Sequence, residues 1–134
     1  MQLGIIGLGR MGGNIARRLM LKQHKTVVYD RSEDAVAALV KDGSTGVKDL
    51  AGMIAALDAP RAVWVMLPAG EPTEQTVKQL AELMSPGDTI IDGGNSFYKD
   101  DIRRAHELQE KNIHYVDVGT SGGVWGLELS LIHI

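Results

Sequence analysis

Short apolar runs alternate with longer amphipathic stretches along the chain. Residues 3–7, 26–29, 62–67, 89–92 and 114–118 are short, and most are rich in Ile or Val, as strands buried on both faces of a parallel sheet should be. Between them the spacing turns helical. Met11, Ile15 and Leu19 recur every fourth residue, and Val77, Leu80, Ala81 and Met84 fall at i, i+3, i+4 and i+7. Ile102, Ala105 and Leu108 form a narrower stripe, and residues 33–41 and 48–57 also read as helical. Ser85-Pro86-Gly87-Asp88 marks a turn before the strand at 89–92. Strand and helix in regular alternation predict an α/β fold of the Rossmann type, a doubly wound parallel sheet with helices on both faces.

Bulk properties narrow the classes of function. The chain has 134 residues, 44% of them hydrophobic, enough for one domain with a real core. Lys and Arg number 14 against 17 Asp and Glu, for a net charge of −3. No basic run appears, so charge gives nucleic-acid binding little support. The absence of cysteine excludes disulfides and thiolate metal sites without fixing a compartment. His24, His106, His114 and His133 are scattered without metal-ligand spacing, and no metal is expected. The first apolar run is too short and glycine-rich for a signal peptide, and no stretch approaches the ~20 apolar residues of a membrane span. The expectation is a soluble cytoplasmic protein with no membrane partner.

The sharpest local signal is Gly7-x-Gly9-x-x-Gly12, which follows a strand and opens a helix. In such a loop the first glycine permits the tight turn, the second lets the backbone approach a pyrophosphate, and the third lets helix and strand pack closely. The phosphates would sit at the positive end of the helix dipole. A lone motif of this kind is weak, because 16 glycines are present. Its βαβ setting strengthens it, as does Asp30, which closes the next strand 18 residues after Gly12, near the ~20 expected. Asp30 could be a solvated strand-end carboxylate or a cap for the following helix. As a ligand residue it would accept from ribose hydroxyls and repel a 2′-phosphate, favouring NAD over NADP. Arg31 pulls the other way, since a guanidinium could bind that phosphate or stack on adenine.

Three further motifs sit at strand exits: "VMLPAG" (65–70), "DGGNSFY" (92–98) and "VGTSGGVWGLE" (118–128). With "GLGRMG" they resemble the β-hydroxyacid dehydrogenase superfamily and, within it, the decarboxylating 6-phosphogluconate dehydrogenases. "GLGxMG" suits the whole superfamily, whereas "DGGNS" with an aromatic and then "SGG" is specific to the latter. The likeness covers about residues 1–128. Asp30-Arg31-Ser32 stands where NADP-using members carry Asn-Arg-Ser or Asn-Arg-Thr, so the chain resembles the NAD-preferring branch. The resemblance implies cofactor contacts at Gly7, Leu8, Gly9, Arg10, Met11, Gly12, Asp30, Arg31 and Ser32, and at Leu67, Pro68 and Ala69 beside the nicotinamide ribose. It implies that Asn95 touches both cofactor and substrate, with Gly93 and Gly94 leaving room for the ring. It places the substrate's carboxylate and hydroxyl end on Ser121, Gly122 and Gly123. Taken from the residues alone, Asn95 could be only a turn former and "SGG" only a flexible loop.

The reaction this resemblance implies is oxidation of 6-phosphogluconate at C3 with reduction of NAD, then loss of CO2 to give ribulose 5-phosphate. Its base and acid, a lysine and a glutamate, are expected downstream of these 134 residues, as is a helical domain that completes the substrate site and a homo-oligomer. No catalytic residue is therefore expected within the chain, which alone should be inactive. Residues 129–134 ("ELSLIHI" from Glu128 on) depart from the glycine-rich continuation of the family and are expected to be a non-native tail. Asp100-Asp101 and Arg103-Arg104 read as a solvated helix face, Trp64 as core, and Trp125 as either core or a cover for the site. Two other functions fit the first glycine loop: a 3-hydroxyisobutyrate or tartronate-semialdehyde type dehydrogenase, and a non-catalytic NAD-sensing module.

Overall fold

Each strand among the described residues runs the same way, because a helix returns the backbone between consecutive strands. β1 (Gln2–Ile6), α1 (Arg10–Leu21), β2 (Lys25–Tyr29), α2 (Glu33–Asp42) and β3 (Thr45–Gly46) form the first half. α3 (Leu50–Ala56) crosses to β4 (Ala62–Val65), followed by α4 (Glu71–Leu83), β5 (Thr89–Asp92), α5 (Tyr98–Gln109) and β6 (His114–Asp117). The computed structural model describes residues 2–68, 70–93 and 98–118. Its six parallel strands lie in the order β3-β2-β1-β4-β5-β6, so the winding reverses between β1 and β4. Ile5 pairs with Val28 on one side and Trp64 on the other; Ile6 pairs with Tyr29 and Val65.

Side-chain alternation along the strands builds two cores. Leu3, Ile5, Val28 and Trp64 face α1 and α2, where Ile15, Ala16, Leu19 and Leu39 meet them. Ile6, Val27, Val63, Val65 and Ile90 face the other way, onto Met53 and Ile54 of α3, Val77 and Leu80 of α4, and Leu108 of α5. Ile5, Ile15, Val27, Val28, Val63, Val65, Leu80 and Ile90 have no exposed surface. Each such side chain contributes about 1.5–3 kcal/mol relative to an exposed one. The near-continuous apolar strands therefore have a physical cause: both faces of the sheet are covered.

Five of the strands fall where the sequence predicts them, with β4 ending at Val65 rather than at 67. The sixth, β3, is two residues long, too short to show a period. Gly46 is required there because Val36 and Val40 of α2 lie 2.7 Å from where its Cβ would be. Helix starts follow the capping chemistry. Ser32 Oγ accepts from Ala35 N at 3.2 Å, and Asp49 Oδ1 accepts from Gly52 N at 2.7 Å. Asp49 is extended, so α3 begins at Leu50 rather than at 48. We expect Asp49→Ala to lower stability by about 1 kcal/mol, read as a shift in urea midpoint at unchanged slope. At the opposite end of the sheet, Asp88 is fully buried in the predicted turn. It accepts from Ser85 N (2.8 Å), Arg61 N (2.7 Å) and Arg61 Nη1 (3.2 Å). Among the described residues no helix is long and apolar enough to cross a membrane.

Candidate functional site

The switch in winding between β1 and β4 opens a crevice at the strands' C-terminal ends, where such sheets take ligands. β1 leaves the sheet through Gly7, whose φ of +93° lies in the left-handed region. A Cβ there would strike the backbone carbonyl of Met66. Gly12, in the first turn of α1, lies against the Gly7 carbonyl oxygen, which a Cβ would also strike. Gly9 differs from both. It caps α1 with no side-chain hydrogen bond, and among the described residues nothing lies within 4 Å of where its Cβ would be. The first amides of α1 lie at the positive end of the helix dipole, with no capping side chain and no acidic residue in the first turn to satisfy them. That is the geometry an anionic phosphate fits.

Asp30 is stapled to this loop. Its Oδ2 accepts from Leu8 N at 2.6 Å and its Oδ1 from Ser32 N at 2.8 Å. Each carboxylate oxygen keeps a further lone pair for a ligand hydroxyl. The Leu8 side chain is buried in the core facing α1, so this residue offers the crevice its backbone alone. Arg10 is exposed at the first position of α1, and Met11 packs half-buried on the same core.

A cleft of about 550 Å³ runs from this loop along the crevice. Gly7, Asp30, Arg31, Leu67 and Pro68 line it, bringing together residues of three predicted motifs. Ser32 sits at the start of α2 beside Asp30. The far wall was not anticipated: Asp49, which caps α3, Leu50 of α3, and Glu71, Gln75 and Gln79 of α4. The last three are spaced by four on the first turns of a helix, and that polar stripe was the signal available. Among the described residues the charged lining is Asp30, Asp49 and Glu71 against Arg31. Ala69, Gly94, Asn95, Ser121, Gly122, Gly123 and Trp125 lie outside the described residues.

The exit of β5 corrects two expectations. Gly93 was expected to leave room for a ligand ring, yet a Cβ on it would collide with the Trp64 indole nitrogen and lie 2.5 Å from Met66 Sδ. Packing against β4 is what excludes a side chain there. Arg104 was expected on a solvated face, yet it is 2% exposed. Its Nε donates to Glu74 Oε2 at 2.9 Å, and its Nη1 lies 3.5 Å from Asp92 Oδ2. Asp92 is itself fully buried and accepts from Tyr115 Oη at 2.6 Å. Arg103, half-exposed, makes a fork onto Glu74 at 2.8 and 2.9 Å. The Arg103 hydrogen bond, against burial and reinforced by Arg104, holds the Glu74 carboxyl at about 2, down from 4.5.

Fold and crevice together define a class, the dinucleotide-binding domains of dehydrogenases. The chain belongs to the 6-phosphogluconate dehydrogenase family: residues 2–132 match the family model described as the NAD binding domain of 6-phosphogluconate dehydrogenase. It is 38% identical over 129 residues to the NAD(+)-dependent, decarboxylating 6-phosphogluconate dehydrogenase of Haloferax volcanii, covering 96% of this chain and 42% of that protein. The solved 6-phosphogluconate dehydrogenase of Plasmodium falciparum, described with cofactor NADP+ and with substrate 6-phosphogluconate, is 31% identical with a TM-score of 0.86. That match covers 95% of this chain and 28% of the other. A Mycobacterium tuberculosis 3-hydroxyisobutyrate dehydrogenase structure shares the fold, with a TM-score of 0.84 at 22% identity over 93% of this chain and 42% of that one. The chain spans 42% or less of the length of the first curated relatives it matches.

Proposed function

We propose that this chain is the cofactor-binding part of an NAD-dependent 6-phosphogluconate dehydrogenase that converts 6-phosphogluconate to ribulose 5-phosphate and CO2. The observation that carries the cofactor is the contrast around the glycine loop. Gly7 and Gly12 are crowded by backbone, while among the described residues nothing lies within 4 Å of where a Gly9 Cβ would be and the α1 amides behind it have no capping side chain. A dinucleotide fits there: its pyrophosphate on the α1 amides, its adenosine ribose on Asp30, and its adenine side in the cleft toward Gln75 and Gln79. When bound, the nicotinamide would supply the hydride acceptor. This chain's residues bind and orient, with Leu67, Pro68 and Ala69 along the cofactor and Asn95, Ser121, Gly122 and Gly123 toward the substrate. The relatives' names and the "DGGNSFY" and "SGG" motifs support 6-phosphogluconate. The base and acid of the reaction lie, in this reading, on chain beyond the SGG segment.

Preference for NAD over NADP rests on charge. Among the described residues three carboxylates line the cleft against one guanidinium, and in this reading Asp30 meets the ribose that would carry a 2′-phosphate. Coulomb repulsion between such groups at close range costs on the order of 1 kcal/mol even in water and more in a cleft. Calorimetric titration of both cofactors against wild type and Asp30→Asn tests this. The informative quantity is the ratio of affinities, because an amide facing Leu8 N and Ser32 N also loosens the loop and weakens both cofactors together. A charged hydrogen bond of roughly 1.5–3 kcal/mol is at stake, so the NAD:NADP ratio should fall by about tenfold or more. An unchanged ratio would remove Asp30 from the ribose site.

A further inference from the structure

We propose that Arg104 is a positioning residue: its buried guanidinium, held between Glu74 of α4 and Asp92 of β5, fixes the loop after β4 and the exit of β5 in one relation across the crevice. This rests on reading the crevice as the dinucleotide site. The contacts form one continuous path. On the β4 side, the buried Thr73 donates its hydroxyl to the Pro68 carbonyl at 2.9 Å, and Glu74 N donates to the Gly70 carbonyl at 2.9 Å. Pro68 lines the cleft. The same first turn of α4 sends the Glu74 carboxylate to Arg104 Nε, and Arg104 Nη1 reaches Asp92 Oδ2. On the β5 side, Asp92 is held by Tyr115 Oη, and its carbonyl accepts from Val118 N at 2.9 Å. Gly93 N then donates to Val65 O at 2.9 Å, closing the path back to β4.

An apolar plug would hold α4, α5 and β5 together as well as these charges do, since buried ion pairs rarely exceed well-packed hydrophobic groups in stability. What the charges add is direction. A guanidinium has donors in a fixed plane, so the hydrogen bond from Nε sets the Glu74 carboxylate at a defined angle while the charge on Nη1 keeps Asp92 Oδ2 at 3.5 Å. Apolar packing at the same place would let α4 slide on α5. The two elements locked here are the ones whose starts and ends border the crevice.

The test uses the 134-residue chain with Arg104→Met, Arg104→Lys and Glu74→Gln. NAD affinity is measured by calorimetry well below each melting midpoint, and the Gly70 and Gly93 amide resonances are followed in apo protein. Arg104→Met should weaken NAD by roughly 2- to 30-fold in protein that remains folded, the range for residues along a coupling network. Arg104→Lys keeps charge but not the fork and should fall between. Glu74→Gln should shift Gly93, and Arg104→Lys should shift Gly70, each change made on an element other than the one that reports it. If Arg104→Met does not fold, the other two variants carry the test. Lower melting temperature with wild-type NAD affinity and unmoved glycine amides would overturn the proposal and leave Arg104 a stability residue. Wild type that binds no NAD would instead remove the dinucleotide reading, and the two glycine amides would then decide the positioning role alone.

Discussion

Replacing Gly12 by alanine will cost the fold about 3 kcal/mol, whereas the same change at Gly9 will leave the fold intact and weaken nucleotide binding. Both residues belong to one motif, so sequence alone gives them equal weight. Their surroundings differ. A Cβ at Gly12 lands on the Gly7 carbonyl oxygen, with the Gly7 carbonyl carbon at 3.1 Å. Gly7 cannot yield, because its own φ is +93° and its amide is bonded to the Tyr29 carbonyl at 3.0 Å. Alanine gains about 1 kcal/mol of helix propensity over glycine, which offsets only part of parting α1 from β1. At Gly9 the backbone has a φ of −62°, comfortable for alanine, and the new methyl meets nothing among the described residues. It does occupy the space through which a phosphate would reach the α1 amides. Gly9→Ala should therefore melt within about 0.5 kcal/mol of wild type while NAD affinity falls about 5- to 150-fold, the range for about 1–3 kcal/mol of overpacking. Parallel urea melts and NAD titrations check both. Equal loss of stability at the two positions would sink the claim that Gly9 faces ligand.

The sequence shows most of this fold because a doubly wound sheet writes itself in long periods. Runs such as Leu3 to Ile6 and Ala62 to Val65 have both faces covered and so read as uninterrupted apolar strands. The helices between them each show a stripe because only one side is buried. β3 escaped because its two residues pair with Val27 and Val28 alone and lie under α2, leaving nothing to alternate. The glycine loop and Asp30 were legible since their geometry is local to one βαβ unit. The far wall of the cleft and the Glu74–Arg104–Asp92 path were not. Arg104 sits 30 residues from Glu74 in sequence, within a run of charges that looks solvated. Its place between Glu74 of α4 and Asp92 of β5 is what removes it from water. Asp92 likewise opens a motif that suggests a ligand residue, yet its carboxylate is consumed by Tyr115 and Arg104.

Acid should weaken this domain earlier than its charge balance suggests, and Glu74 should account for a measurable share. In the folded chain the Arg103 hydrogen bond, opposed by burial and aided by Arg104, holds the Glu74 carboxyl at about 2. Unfolded, it returns to 4.5. Between those values the unfolded chain binds the extra proton, so stability falls as pH falls. The contribution is complete above about pH 4.5 and is lost as pH drops through about 2. A displacement of that size corresponds to roughly 3 kcal/mol, and solvent screening at the half-exposed Arg103 reduces it to about 2. Glu74, with Glu107, raises Arg103, and burial lowers Arg104 but Glu74 and Tyr115 outweigh it; the Glu74 contacts are the ones already counted. Asp88 acts in the same direction: burial opposes its charge, but the amides of Arg61 and Ser85 and the Arg61 guanidinium outweigh it and keep its carboxyl low. Urea midpoints of wild type and Glu74→Gln, measured from pH 6 down to pH 2, separate the two carboxylates. Wild type should be more stable by about 2 kcal/mol near neutrality, and the gap should close toward pH 2 as Glu74 protonates while Asp88 lowers both curves together. A gap that stays constant with pH would show that the Glu74 charge is not what Arg103 and Arg104 hold.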